Sequence, residues 1–156
     1  MISTSKSILG LIICLAITFA MAFMGSRFMP GDWYAQLAKP SWNPPNAVFA
    51  PVWTILYLLM SISAWLVWKS SGLSRAKLPL LLYIIQLILN SLWSFLFFGL
   101  HNIRFAFIDI IALWCFILIT LLTFWKHNKL AGALFIPYLL WVSFASALNS
   151  AILSRN

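Results

Sequence analysis

The sequence predicts an all-α integral membrane protein, a bundle of five transmembrane helices with an ordered Pro/Trp-rich loop between the first two. Apolar residues make up 63% of the 156 and charged residues only 8%, and the mean hydropathy is +0.99. Apolar runs long enough to cross a bilayer, about 20 residues each, occupy nearly the whole chain. A soluble globule of this size would need far more polar surface to meet water. Ten Lys and Arg face only two acids, Asp32 and Asp109, for a net charge of +8. The cations stand singly or in small groups between apolar runs rather than along one stripe, so they read as membrane anchors and exclude a nucleic-acid partner. Residues 1–156 form one domain, because the apolar runs leave no length for a soluble one.

The first run, residues 7–26, follows Lys6 as a secretory leader would, but it exceeds an ordinary leader core and the next runs are equally apolar, so it reads as a span. The second covers 47–68, the third 78–99, the fourth 105–125 with Asp109 embedded, and the fifth 130–153. Lipid cannot satisfy free backbone groups, so each run must be helical. Pro51 and Pro137 fall inside the second and fifth and invite kinks. Between the first two spans, RFMPGDWYAQLAKPSWNPPN (residues 27–46) holds four prolines and a Gly-Asp turn signal. Trp33, Tyr34 and Trp42 give that loop apolar area to bury, so it should be ordered. Cys14 and Cys115 lie in apolar runs and read as small hydrophobes, with neither a disulfide nor a metal-ligand spacing.

Five spans place the termini on opposite sides. Lys6, Lys69, Arg75, Lys77, Lys126 and Lys129 fall on the N-terminal side, and Arg27, Lys39, Arg104 and Arg155 on the other. The positive-inside rule then puts the N-terminus in the cytoplasm of a bacterial cell membrane.

Alternation of the spans also gathers the unusual residues. Trp53, Asn90, Trp93, Asp109 and Asn149 all fall in the half of the membrane beneath the Pro-rich loop. Gln86, Asn90, Trp93 and Phe97 share one helix face, as do Tyr138, Trp141, Ala145 and Asn149, and Phe49, Trp53 and Tyr57 form a shorter stripe. Amides facing lipid are costly, so these faces point inward and line a cavity. For any single Trp, plain packing is the competing reading, and Asn90 or Gln86 alone reads equally as glue between helices. Asp109 is either a functional intramembrane carboxylate or a structural acid near a helix start, meeting Arg104 or the loop. His101 and His127 fall in loops and read as solvated, and Trp65, Trp68 and Trp125 as interfacial anchors. Ala16 with Ala20, and Ser143 with Ala147 and Ala151, have small-xxx-small spacing suited to close helix approach. No metal cluster, paired carboxylates, nucleophile elbow or phosphate loop is present.

The segment WYAQLAKPSWNPPNAVFAPVWTILY (33–57) resembles the signature of the TspO/MBR family of tryptophan-rich sensory proteins and translocator proteins, the peripheral-type benzodiazepine receptors. QLILNSLWSFLFF (86–98), Asp109 and PYLLWVSFASALN (137–149) follow in the family's order and spacing, so the resemblance spans essentially the whole chain. It implies a homodimer whose pocket binds porphyrins such as protoporphyrin IX, together with isoquinoline carboxamide and benzodiazepine-type ligands. By matching positions, the ligand-binding residues would be Tyr34, Phe49, Ala50, Trp53, Asn90, Trp93, Phe105, Trp141, Ala145 and Leu148. Trp53 and Trp141 match tryptophans that the family links to light- and oxygen-dependent porphyrin degradation, with the porphyrin as ligand and no further cofactor required. Two departures stand out. The stretch LNSAILSR (148–155) lacks the Tyr of the animal cholesterol-recognition pattern, which puts sterol binding in doubt. Phe105 stands where animal members carry Trp.

Three functions follow as expectations: a membrane receptor or sensor for tetrapyrroles, a transporter of porphyrins or other apolar solutes, and a membrane scaffold whose aromatics only pack. Transport ranks below sensing, because nothing resembles paired broken-helix repeats.

Overall fold

The computed structural model describes residues 3–156 and is helical along most of that length. Helix α1 (Thr4–Ser26) is capped by Ser3, whose Oγ accepts the Lys6 amide. A five-residue helix α2 (Asp32–Gln36) interrupts the Pro-rich connection. Helix α3 (Asn46–Ser94) runs on into a π-helical turn, Phe95–Gly99. Helices α4 (Ile103–His127) and α5 (Lys129–Leu153) complete the chain.

The 49 residues of α3 would measure about 74 Å as one rod, more than twice a hydrocarbon core of about 30 Å. The rod is broken at Gly72, where φ is 69° and ψ is 165°, a conformation essentially restricted to glycine. The two arms, 46–71 and 73–94, are the second and third spans, so five helices cross the bundle. Sequence polarity places a loop over 69–77, whereas helix continues to either side of Gly72. Lys69, Ser70, Arg75 and Lys77 are hydrophilic but compatible with helix, and only the residue that can take positive φ turns the chain.

The other connections are equally economical. Asn128 ends α4 and, through Oδ1, accepts the Ala131 amide at the start of α5. Asn102 does the same for Phe105 at the start of α4, next to His101 with φ of 53°.

The half of the bundle nearest the N-terminus is solidly packed. Met60, Ala64, Val67, Tyr83, Phe124 and Phe135 are all at or below 2% exposure. Helix α1 is fastened here: the Trp65 indole donates to Ser7 O at 2.8 Å, and the Trp68 ring lies so close to Gly10 that a Cβ there would clash with it. The Thr18 and Tyr83 hydroxyls are hydrogen-bonded. His127 is not simply solvated, because its Nδ1 pairs with Ser71 Oγ at 2.7 Å beside the Gly72 break.

Candidate functional site

The opposite half contains a cavity of about 610 Å³ enclosed by α1, both arms of α3, the π turn, α4 and α5, with the loop before α3 above it. Packing in lipid gains little from the hydrophobic effect, so side-chain hydrogen bonds and ring contacts set the wall. Tyr57 donates to Asn90 Oδ1 at 2.7 Å, and Asn90 Nδ2 donates to the Tyr138 hydroxyl at 3.1 Å, tying both arms of α3 to α5. The Trp93 indole donates to Asn149 Oδ1 at 3.0 Å, and Asn149 Nδ2 reaches Ile103 O at 3.3 Å, which brings in α4. Both ends of the Asn90 amide are therefore engaged with protein, which is the interhelical reading of that residue.

Rings make up most of the remaining wall. Trp53 stacks on Tyr57 with centroids 5.4 Å apart and meets Tyr138 edge-on at 6.0 Å. Phe49 meets Trp141 at 6.0 Å. Trp93 stacks on Phe97 at 5.0 Å, with Phe97 and Phe98 carried on the π turn, a feature common at functional sites. Among the described residues the indoles of Trp65, Trp93 and Trp114 are committed to internal acceptors, whereas those of Trp53 and Trp141 have none.

Above the cavity the loop is a fitted lid. Tyr34 on α2 is 4% exposed; its hydroxyl donates to Asn43 Oδ1 at 3.0 Å and its ring meets Phe98 at 5.6 Å. Burial pushes the Tyr34 phenol up from its ordinary value, against the opposing pull of the Asn43 bond. Lys39 Nζ gathers the carbonyls of Tyr34, Ala35 and Leu37 at the negative end of α2 and sits 4.7 Å above the Tyr34 ring. Trp33 stacks on His101 at 4.3 Å. Asn156 clasps the far end of the lid, accepting from Ala38 N and donating to Ala38 O, both at 3.0 Å.

Nine of the ten positions singled out from the sequence, Tyr34, Phe49, Ala50, Trp53, Asn90, Trp93, Trp141, Ala145 and Leu148, line this one cavity. Phe105 does not. It stands in the first turn of α4 and is 58% exposed on the outside of the bundle, because Ala106, Asp109 and Ile110 take the inward face. The ion pair expected between Asp109 and Arg104 is also absent. Five residues apart, the two project about 140° from each other around the helix, and Asp109 is 7% exposed with a buried Oδ2 lacking any hydrogen-bond partner. Sequence reasoning missed the α1 wall, formed by Phe19, Ala22, Phe23 and Gly25. These residues sit in a uniformly apolar run, where no polar group marks a face.

Five membrane helices, four of them packed into hairpins, with an aromatic cavity under a fitted lid, define an all-helical integral membrane protein with a small-molecule-sized cavity. Comparison with known proteins narrows this. The chain matches the TspO/MBR family over residues 10–155 and belongs to that family. It is 43% identical to the tryptophan-rich protein TspO of Chlorobaculum tepidum over 97% of this chain and 99% of the relative. It is 39% identical to the tryptophan-rich sensory protein of Cereibacter sphaeroides, over 91% and 88% of the two chains. The human translocator protein is 40% identical over 86% of this chain and 82% of its own.

Proposed function

We propose that the protein is a membrane receptor that holds a planar tetrapyrrole such as protoporphyrin IX in the lidded cavity. The observation that carries this is the cavity itself. Its 610 Å³ is within the range of about 300–1,000 Å³ typical of small-molecule sites, and its walls are ring faces and edges. Flat aromatic faces favour a flat aromatic guest, and isoquinoline carboxamide or benzodiazepine-type ligands have the same character. Bacterial cell-membrane residence, a cytoplasmic N-terminus and a homodimer belong to the same reading. The small-residue positions Ala16, Ala20, Ser143 and Ala147 are all exposed and free to meet a second copy. Titrating protein in lipid nanodiscs with protoporphyrin IX should quench tryptophan fluorescence to saturation at one ligand per chain. A linear, unsaturable response would refute the reading.

Light-dependent degradation of the bound porphyrin is favoured by one observation, the uncommitted indoles of Trp53 and Trp141 on the cavity wall. Replacing both with Phe should slow ligand bleaching under light more than it weakens binding; unchanged bleaching would remove the indoles from the chemistry. Transport has less support, because the cavity is floored by the packed half of the bundle.

A further inference from the structure

The walls of the cavity are not equally closed. Helix α1 meets the 73–94 arm at close range around Gly25, where a Cβ would lie 3.5 Å from Ser94 Oγ, and Ser91 Oγ donates to Met21 O at 2.8 Å. The 46–71 arm is sealed to α5 by Phe49 against Trp141 and Trp53 against Tyr138. Helix α1 and the 46–71 arm, by contrast, are fastened only in the packed half, at Ser7–Trp65 and Gly10–Trp68. The ring pair between them nearest the lid is the edge-on Phe19–Tyr57, 6.1 Å apart. Beyond it, among the described residues, neither a hydrogen bond nor a ring pair crosses the seam.

Residues on the two lips of this seam line the cavity and are exposed rather than packed against one another. Phe23 is 64% exposed and Phe19 36%, and Ala50 and Thr54 across the gap are also exposed. At the lid end of the same lip stands Arg27, exposed, with its guanidinium 6.0 Å over the Phe23 ring and with cavity-lining Ser26 and Phe28 on either side. It is a cation at the level where a lipid-dissolved acid would hold its carboxylate.

We infer that the seam between α1 and the 46–71 arm is a lateral portal through which a membrane-dissolved planar ligand reaches the cavity edge-first, with Arg27 holding a carboxylate on its trailing edge. This rests on the receptor reading above. It makes the bilayer the source of ligand, and the lid a fixed roof rather than a door. The ligand class it selects is a flat, apolar ring system with an acid group on one edge.

Stopped-flow tryptophan quenching in nanodiscs, with protoporphyrin IX and its dimethyl ester as probes, tests this. Thr54→Phe narrows the gap and should slow both association and dissociation about ten-fold, since a portal is a barrier common to both directions. Phe23→Ala widens it and should speed both, which keeps the test decisive if the first variant fails to fold. Asn156→Ala releases the lid clasp and should leave both rates at the wild-type value. Arg27→Gln should slow association of the diacid roughly five-fold, the effect of one interfacial cation, and leave the ester unaffected. Acceleration by Asn156→Ala with no response to the seam variants would overturn the portal in favour of access under the lid. An equal Arg27→Gln effect on acid and ester would overturn the role of its charge. Absence of quenching in the wild type would overturn the receptor reading and the portal together, whereas normal quenching with insensitive rates overturns the portal alone.

Discussion

Replacing Asn90 with Leu tests whether the cavity wall is held by polar contacts. The two side chains have the same number and branching of non-hydrogen atoms, so the shape is kept and the hydrogen bonds are the main loss. Asn90 accepts from Tyr57 and donates to Tyr138; side-chain bonds between membrane helices average about 0.6 kcal/mol each, so the two together contribute about 1.2 kcal/mol. The Tyr138 hydroxyl, on a residue with 0% exposure, is then left without its donor, which adds about 1–3 kcal/mol. The expected loss is about 2–4 kcal/mol, measured by circular dichroism as mixed-micelle SDS unfolds the protein. A double-mutant cycle isolates the contact, because in a Tyr138→Phe background one of the two bonds no longer exists to be lost. The coupling should fall between about 0.6 and 1.7 kcal/mol. Strict additivity of the two substitutions would refute the bridge and return Asn90 to the role of a plain packing residue.

Two further outcomes bear on the frame. Gly72→Ala meets no atom within 4 Å of the new methyl, so its cost is purely conformational, about 1–3 kcal/mol for a left-handed residue; an unchanged unfolding midpoint would mean that the two arms of α3 turn elsewhere. Arg104→Ala should leave stability within about 0.5 kcal/mol of the wild type, as for a surface change without a partner, because its guanidinium does not reach Asp109. A loss of 2 kcal/mol or more would reinstate the ion pair.

The five spans could be read directly because bilayer solvation is a coarse filter: any run of about 20 apolar residues must be helix in lipid. What failed was the inverse inference, that polar residues mean loop. Hydropathy reports which solvent a residue prefers, and residues 69–77 are polar and helical at once, so the turn reduces to Gly72. The cavity was legible where polar or aromatic residues recur at helical spacing, as with Asn90 and Trp93 or Trp141 and Ala145. It was illegible along α1, whose cavity-facing Phe19 and Phe23 are indistinguishable in sequence from its lipid-facing Ile13 and Ile17. Phe105, given only by the family resemblance, lies off the cavity because Ala106, Asp109 and Ile110 take the inward face of α4. Asp109 and Arg104, near in sequence, lie on different sides of that helix.

The single-residue turns at Gly72 and Asn128 have a mechanical consequence. They tie adjacent helices together at one end, while at the other end the helices are joined by 19 residues before α3 and by only three, 100–102, after the π turn. A 25-residue helix is about 37 Å long, so a rotation of 5° about a pivot at the tied end sweeps the free end through roughly 3 Å, near the thickness of one aromatic ring. The bundle is thus a set of levers with a common fulcrum. A rotation of this kind would change the width of the cavity at its rim while displacing the packed residues around Met60 and Phe135 far less.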